Sequence, residues 1–129
     1  MPEQLNLEFY QTVFEIPDGT HSLPPKFAII TAFPPPGRKW VEKKNEEADE
    51  QLKGRLRRWS PFRVVGKSPD GRHAEPGWGV ICSEATARRI GQQYLQHAIF
   101  WVEGDDLWIA AALGGPKEFL GSFRKRIIS

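Results

Sequence analysis

The residues of this chain that could bind a ligand are polar side chains beside predicted strand ends. They are widely separated in sequence: Arg38, Asn45, Glu75, Gln96 and His97. Arg38 follows three prolines and a glycine, and its guanidinium, together with a helix N-terminus, could hold an anion. The amides of Asn45 and Gln96 carry donors and acceptors that could fix the orientation of that anion. The same amides could instead tie down long loops by bonding to backbone groups, and the sequence leaves both interpretations open.

Glu75 suggests a second kind of chemistry, general acid–base catalysis. It stands two residues after His73, and such catalysis requires titratable groups with shifted pKa values. A glutamate before a proline can equally accept from backbone N–H groups or pair with Arg38. A small enzyme that uses Glu75 as its general acid or base is therefore an alternative. We favour a protein that binds a ligand without catalysis.

Metal and thiol chemistry have little support in the sequence. His21, His73 and His97 stand at none of the spacings that metal sites use, and the single cysteine excludes a cysteine cluster. Cys82 lies in an apolar run, where thiols are usually buried and inert. We predict no metal site and no cofactor.

A short aromatic motif gives a nucleic-acid alternative. Residues 77–81 resemble half of the third-strand signature of RNA-recognition motifs, whose aromatic side chains stack on bases at an open sheet face. The match is partial, because Pro76 replaces the leading basic residue and Val80 replaces the second aromatic. Single-stranded RNA could then bind at the sheet face that carries Trp78.

The charge of the chain gives this alternative limited support. The net charge of +2 is weaker than that of most dedicated nucleic-acid binders, so nucleic acid is a partner that we do not favour. Basic residues do gather in two places, at Arg55, Arg57, Arg58 and Arg63 and again at residues 124–126. We interpret them as solvated surface, with phosphate binding as the alternative.

The composition is that of one ordinary globular domain spanning residues 1–129, with 40% hydrophobic and 26% charged residues. The N-terminus has no basic region followed by an apolar run, and no stretch approaches the length of a membrane span. We expect neither a signal peptide nor membrane insertion. A cytoplasmic location is the default expectation.

Hydrophobic patterns place the polar residues on secondary-structure elements. The continuous apolar run at residues 27–33 predicts a central strand buried on both faces. A helix should follow, and another should begin after Ser83. The inner stripe of the first helix consists of Val41, Ala48, Leu52, Leu56 and Trp59. The other predicted strands are residues 10–16, 62–67, 78–82, 97–103 and 107–113, with a last strand or short helix within 119–128.

This order predicts an α+β fold of the ferredoxin-like, split β-α-β type. The β-α-β-β-α-β unit would carry extra N- and C-terminal strands, with two helices on one face of a mainly antiparallel sheet. The connections should bring the turn at residues 34–38, the loop at residues 68–76 and the corner at Gln96 and His97 to one end of the sheet. The expected core packs Leu52, Leu56, Ile90 and Tyr94 against Ile29, Val64, Ile81 and Ile99.

The central part of the chain resembles a bacterial family, domain-of-unknown-function family 3293. The resemblance rests on Thr31-Ala32-Phe33-Pro34-Pro35, Asn45, Gly66, Asp70-Gly71, Glu75-Pro76 and Gln96-His97-Ala98-Ile99-Phe100-Trp101. It covers residues 27–108, about two-thirds of the chain. Pro34, Gly77 and Tyr94-Leu95 depart from the family's pattern. The resemblance implies bacterial origin and a small soluble domain, and it supplies no reaction.

We therefore expect a small bacterial cytoplasmic domain that acts as a binding or regulatory module. Its polar site should lie where loops meet at one end of the sheet, a common place for ligands. The expected partner is a small anionic ligand or another protein, and the sequence leaves its identity and the oligomeric state open. The two alternatives are RNA binding at the sheet face and a small enzyme based on Glu75.

Overall fold

A computed structural model describes residues 10–20, 23–32 and 42–128, and these form an α+β structure with seven strands and two helices. Arg38 and the proline-rich turn lie outside the described residues. The strands are β1 (Val13–Glu15), β2 (Lys26–Thr31), β3 (Phe62–Lys67), β4 (Ala74–Val80), β5 (Ala98–Glu103), β6 (Asp106–Ala111) and β7 (Glu118–Ser122). The helices are α1 (Glu42–Leu56) and α2 (Glu84–Gln93), with short 3-10 turns at Arg57–Trp59 and Arg124–Arg126.

The strands form one antiparallel sheet in the order β1-β3-β4-β2-β5-β6-β7. The predicted central position of β2 is confirmed. Its run of apolar residues makes this position favourable, because Phe27 to Ile30 are all buried and a central strand has neighbours on both edges and packing on both faces. The extra strands at the two ends of the chain extend the sheet beyond β3 and β5, as expected.

Each face of the sheet has its own hydrophobic core. On the helix side, Leu52 and Leu56 of α1 and Ile90 of α2 pack against Ile30 and Ile99. The helices therefore share one face, and those core predictions are confirmed. Leu52, Leu56 and Ile90 are fully buried, and Tyr94 packs against the same cluster while half-buried.

The opposite face, called here the curl side, holds the second core. Ile29 and Val64 belong to it, so the prediction that they pack beneath the helices is wrong, although both are buried. The cause is the two-residue period of a strand, which places Ile29 on the face opposite Ile30. Ile81, also predicted in the core, is 53% exposed because it comes after the end of β4.

The C-terminal segment closes the curl side. Phe123 packs against Phe14 and Phe27, with ring centroids 5.2 and 5.7 Å apart. Phe14 forms a parallel bridge with Ile127, and its carbonyl accepts from the backbone N–H of Ile128 at 2.8 Å. The sheet is therefore curled, and the ends of the described chain meet around a cluster of phenylalanine rings.

Strand β4 begins four residues earlier than the sequence predicts. Glu75 pairs with Gly66 and Pro76 pairs with Val65, so both lie in a strand and not in a loop. Proline usually marks the end of a strand because it has no N–H to donate. Here β2 ends at Thr31, opposite Gly77, so among the described residues Pro76 has a strand neighbour on only one side.

Candidate functional site

The end of β2, the start of β4 and the start of β5 lie at one end of the sheet. The antiparallel register places Thr31 opposite Gly77, and Ile29 opposite Phe100. The last turn of α2 leads to β5 at this end. A side-chain hydrogen bond joins two of these segments, since the Thr31 hydroxyl donates to Oε1 of Gln96 at 2.8 Å.

A cleft at this end separates the first half of α1 from the end of α2. It has a volume of about 280 Å³ and is named here the helix-end cleft. Its lining includes Ala32, Lys44, Glu47, Ala48, Tyr94 and Leu95. Ala32 and Ala48 provide small apolar surface, whereas Lys44 and Glu47 provide charge. The volume is close to the lower end of the usual range for small-molecule sites, about 300 Å³.

Asn45 follows Lys44 on α1 and, by helical spacing, shares the inner stripe of Leu52 and Leu56. Its side-chain Oδ1 is buried and has no hydrogen-bond partner among the described residues. A buried carbonyl oxygen without a donor costs roughly 1–3 kcal/mol. Within the described residues, this oxygen makes no hydrogen bond that would tie down a loop.

Gln96 does have the loop-tying role. While its Oε1 accepts from Thr31, its Nε2 donates to the carbonyl of Tyr94 at 3.0 Å. Its backbone N–H bonds back to the carbonyl of Gly91 at 2.8 Å. His97 follows it, half-buried, and its carbonyl accepts from the backbone N–H of Ala112. These bonds fix the corner between α2 and β5 against the end of β2.

Leu95 occupies the position after the helix cap in an unfavourable backbone conformation. Its φ is +61°, and its N–H donates to the carbonyl of Gln92, as in the Schellman motif that usually has glycine at this position. A residue with a Cβ in this left-handed region costs about 1 kcal/mol or more. Leu95 is also 57% exposed and lines the helix-end cleft.

Glu75 lies at the same end of the sheet, but its side chain starts from the curl side. Pro76, Trp78 and Val80 alternate with it along β4, and Trp78 and Val80 belong to the helix-side core. Glu75 is exposed and starts from the curl side, whereas Asn45 is on a helix-side element. Arg38 lies outside the described residues.

Asp49, Arg63 and Trp78 form a network that the sequence did not predict. Two nitrogens of the Arg63 guanidinium donate to the Asp49 carboxylate at 2.7 and 2.9 Å, and the Trp78 indole N–H donates to the same carboxylate at 3.0 Å. The guanidinium also lies 3.7 Å from the Trp78 ring centroid. The network anchors α1 to β3 and β4 one turn after Asn45.

The interpretation of Arg63 as solvated surface is wrong, because its guanidinium is paired with Asp49. Asp49 is buried, with 9% of its surface exposed. The available signal was helical spacing, because Asp49 stands three residues before Leu52 and seven before Leu56 and so shares their inner stripe. A charged residue on such a stripe needs a buried partner.

The aromatic side chains of the sheet are packed inside the protein. Trp78 is 6% exposed beneath α1, and Trp101 is 7% exposed in the same cluster. On the curl side, the space is filled by Phe14, Phe27 and Phe123. The structure therefore does not support base stacking on the sheet face by Trp78.

Cys82 is half-buried, and its burial raises the pKa of the thiol to about 11. The thiolate is the nucleophilic form, so at neutral pH this side chain is a poor nucleophile. In the described residues, no three histidine, cysteine, aspartate or glutamate side chains are grouped as a metal site. None of the described helices combines the length and the apolar character needed to cross a membrane.

Comparison with known proteins gives one match. The model of a family described as "Protein of unknown function (DUF3293)" matches residues 30–99, about two-thirds of the chain. The matched region extends from β2 to β5 and contains every candidate site residue. No curated protein and no solved structure matches the chain.

Proposed function

We propose that this chain, which belongs to the DUF3293 family, is a binding module whose site is the helix-end cleft. The supporting observation is the buried, unpartnered Oδ1 of Asn45, in the same turn of α1 that contributes Lys44, Glu47 and Ala48 to that cleft. A hydrogen-bond donor on a ligand would remove the cost of leaving this oxygen unpaired. The proposed ligand region comprises Arg38, Asn45, Gln96 and His97, and it leaves out Glu75, which starts from the opposite face of the sheet.

The charges and shape of the helix-end cleft define the class of ligand. Lys44, and Arg38 in the preceding segment, supply positive charge for an anionic group. Leu95 and Ala48 supply apolar contact. Because Gln96 is held by Thr31 and Tyr94, it positions the corner that carries Leu95. We infer a small organic anion that combines a hydrogen-bond donor with a short apolar portion.

The proposal extends to the setting of the protein. We propose a ferredoxin-like, split β-α-β arrangement for the central unit, which the order β3-β4-β2-β5 supports. A bacterial cytoplasmic location is supported by the family resemblance and by a free thiol at Cys82, since free thiols persist in reducing compartments. In this setting the module would report the level of its ligand to a larger system or hold it for another protein.

NMR titration of the protein with short organic anions tests the site. Succinate, lactate and glycine are suitable probes, because they differ in charge and in hydrogen-bond donors. We expect a probe with both an anionic group and a donor to shift the amide resonances of Lys44 and Leu95 most strongly. In Asn45→Leu these shifts should fall at least fivefold, whereas the control substitution Glu46→Leu, at an exposed α1 position outside the cleft lining, should not reduce them. Equal shifts in wild type and Asn45→Leu would contradict the proposal.

A further inference from the structure

A second depression lies on the other half of α1 and is named here the α1 groove. It has a volume of about 320 Å³, and its lining is Glu50, Lys53, Gly54, Arg57 and Pro61. The four helical members are spaced by three, one and three residues, so they lie on one face of the helix. Pro61 supplies the opposite wall from the segment that leads into β3.

Unpaired positive charge surrounds the α1 groove. Within the described part of the chain, none of Lys53, Arg55, Arg57 and Arg58 forms an ion pair. By contrast, Arg63, nearby on β3, is paired with Asp49. The helix dipole favours cations near a helix C-terminus, but its effect falls off within one turn and does not require four of them.

Aromatic rings stand beside these cations. Lys53 Nζ lies 5.2 Å from the ring centroid of Trp78. Beyond the groove, the guanidinium groups of Arg55 and Arg58 lie 5.8 and 5.1 Å from the Trp59 ring centroid. The cations thus continue past the groove along the last turns of α1, beside a half-buried tryptophan. Trp78 is buried and cannot stack on a base, whereas Trp59 is partly exposed. Basic residues combined with an accessible aromatic ring are typical of surfaces that bind single-stranded nucleic acid.

Gly54 gives an independent reason to expect a ligand. A glycine inside a helix costs roughly 0.5–1 kcal/mol relative to alanine. In the described structure, a Cβ at Gly54 would meet no atom within 4 Å, so internal packing does not require glycine. The residue lies between Lys53 and Arg57 on the floor of the groove, where the absent side chain leaves the helix backbone open to close approach.

We propose that the α1 groove binds a phosphate group of single-stranded nucleic acid. Lys53 and Arg57 would pair with that phosphate at the side of the helix. This position is off the helix axis, where the negative end of the helix dipole would repel phosphate. Arg55 and Arg58 would contact the next phosphate along the strand, because they extend the positive surface beyond the groove. Glu50 repels phosphate at the other end and limits the site to the half nearer Arg57. This site is separate from the helix-end cleft, and either proposal can fail without the other.

Fluorescence anisotropy with a labelled single-stranded oligouridylate tests the proposal. At about 50 mM salt we expect saturable binding, which weakens strongly at about 200 mM salt. The double variant Lys53→Gln/Arg57→Gln should bind at least tenfold more weakly and should show a salt slope smaller by about one to two. The control Lys43→Gln/Arg89→Gln removes the same net charge from other exposed helical positions and should retain affinity within about twofold.

Two further measurements separate nucleic acid from other sources of phosphate. Inorganic phosphate and uridine monophosphate, added at the same phosphate concentration as an unlabelled oligomer, should compete much less well than the oligomer. Gly54→Ala should weaken oligomer binding several-fold while raising the melting temperature, so that lost binding cannot be attributed to unfolding. The proposal is overturned if the oligomer fails to bind at low salt, if the control loses as much affinity as the groove variant, or if the mononucleotide competes equally well.

Discussion

At the scale of single residues, the amides of Asn45 and Gln96 have different hydrogen-bonding environments, although either amide could bind a ligand or tie down a loop. Both amide ends of Gln96 are hydrogen-bonded, whereas Oδ1 of Asn45 is buried without a partner among the described residues. Neither fact can be read from the sequence, because amide chemistry is identical at the two positions. Only the surrounding packing decides which amide is used for structure.

The two amides should therefore respond differently to truncation. We expect Asn45→Ala to leave the free energy of unfolding unchanged or raise it by about 1 kcal/mol, because it removes an unpaired oxygen and alanine favours the helix. Gln96→Ala should lower it by about 1–3 kcal/mol, because it removes two hydrogen bonds and leaves the Thr31 hydroxyl without its acceptor. Urea denaturation of both variants measures the difference. A clear loss of stability in Asn45→Ala would show that this amide is structural.

Asp49 should be among the most sensitive polar positions. Asp49→Ala leaves the Arg63 guanidinium without its counterion and the Trp78 indole without its acceptor, which we expect to cost about 3–5 kcal/mol. Asp49→Asn keeps an acceptor for Trp78 and should cost less than Asp49→Ala. Thermal and urea unfolding would report both values, and a cost below about 1 kcal/mol for Asp49→Ala would mean that the network contributes little to stability.

At the scale of elements, sequence patterns predicted the type and order of the helices and strands. They predicted less well which face of the sheet a residue lies on and where each strand begins. The apolar run of β2 and the helical stripe of Leu52 and Leu56 were sufficient to predict a central strand and a helix packed on it. A continuous apolar run contains no alternation, however, so it could not show that Ile29 belongs to the curl side. Because proline usually ends a strand, Pro76 led to a predicted start of β4 that was too late. Glu75 was therefore predicted in a loop, whereas it lies in the strand.

The corner between α2 and β5 has a strained residue, and relieving the strain should separate stability from binding. Leu95→Gly should raise the free energy of unfolding by about 1 kcal/mol, because glycine adopts positive φ without a steric cost. The same change removes an apolar part of the helix-end cleft, so we expect weaker anion binding there. Ser60→Gly, at the other described non-glycine residue with positive φ, is the matched control and should affect stability alone. If Leu95→Gly destabilises the protein, the packing of the leucine outweighs its backbone cost.

At the scale of the whole molecule, connectivity predicted that distant segments meet at one end of the sheet. The hydrogen bond from Thr31 to Gln96 joins the end of β2 to the corner before β5, and the helix-end cleft lies between α1 and that corner. The turn at residues 34–38 lies outside the described residues, and Glu75 starts from the other face of the sheet. The closure of the curl side was beyond prediction, because it depends on Phe123 and Ile127, which stand in a segment with no clear pattern. Non-local packing of this kind is decided by the whole chain and not by any local run.

The closing segment should loosen at low pH. The Ser122 hydroxyl and the backbone N–H of Arg124 both donate to Asp105, and these bonds hold the pKa of its carboxyl below the ordinary value of 3.8. Because the folded pKa is depressed, the stabilisation is complete above that ordinary value and is lost as the pH falls through the folded pKa. We expect the amide of Arg124 to lose hydrogen-exchange protection below about pH 4. Asp105→Asn should abolish this pH dependence, and a wild-type protein that keeps its protection in stronger acid would contradict the assignment.

The bridge between Phe14 and Ile127 also bears on how the protein emerges from the ribosome. Phe14 is made long before Ile127, so the phenylalanine face cannot be sealed until Ile127 has been translated. The helix-side core draws mainly on residues between Ala28 and Ile99 and can be assembled earlier. During that interval a nascent chain would expose several aromatic rings to solvent, the kind of surface that chaperones bind and that promotes aggregation.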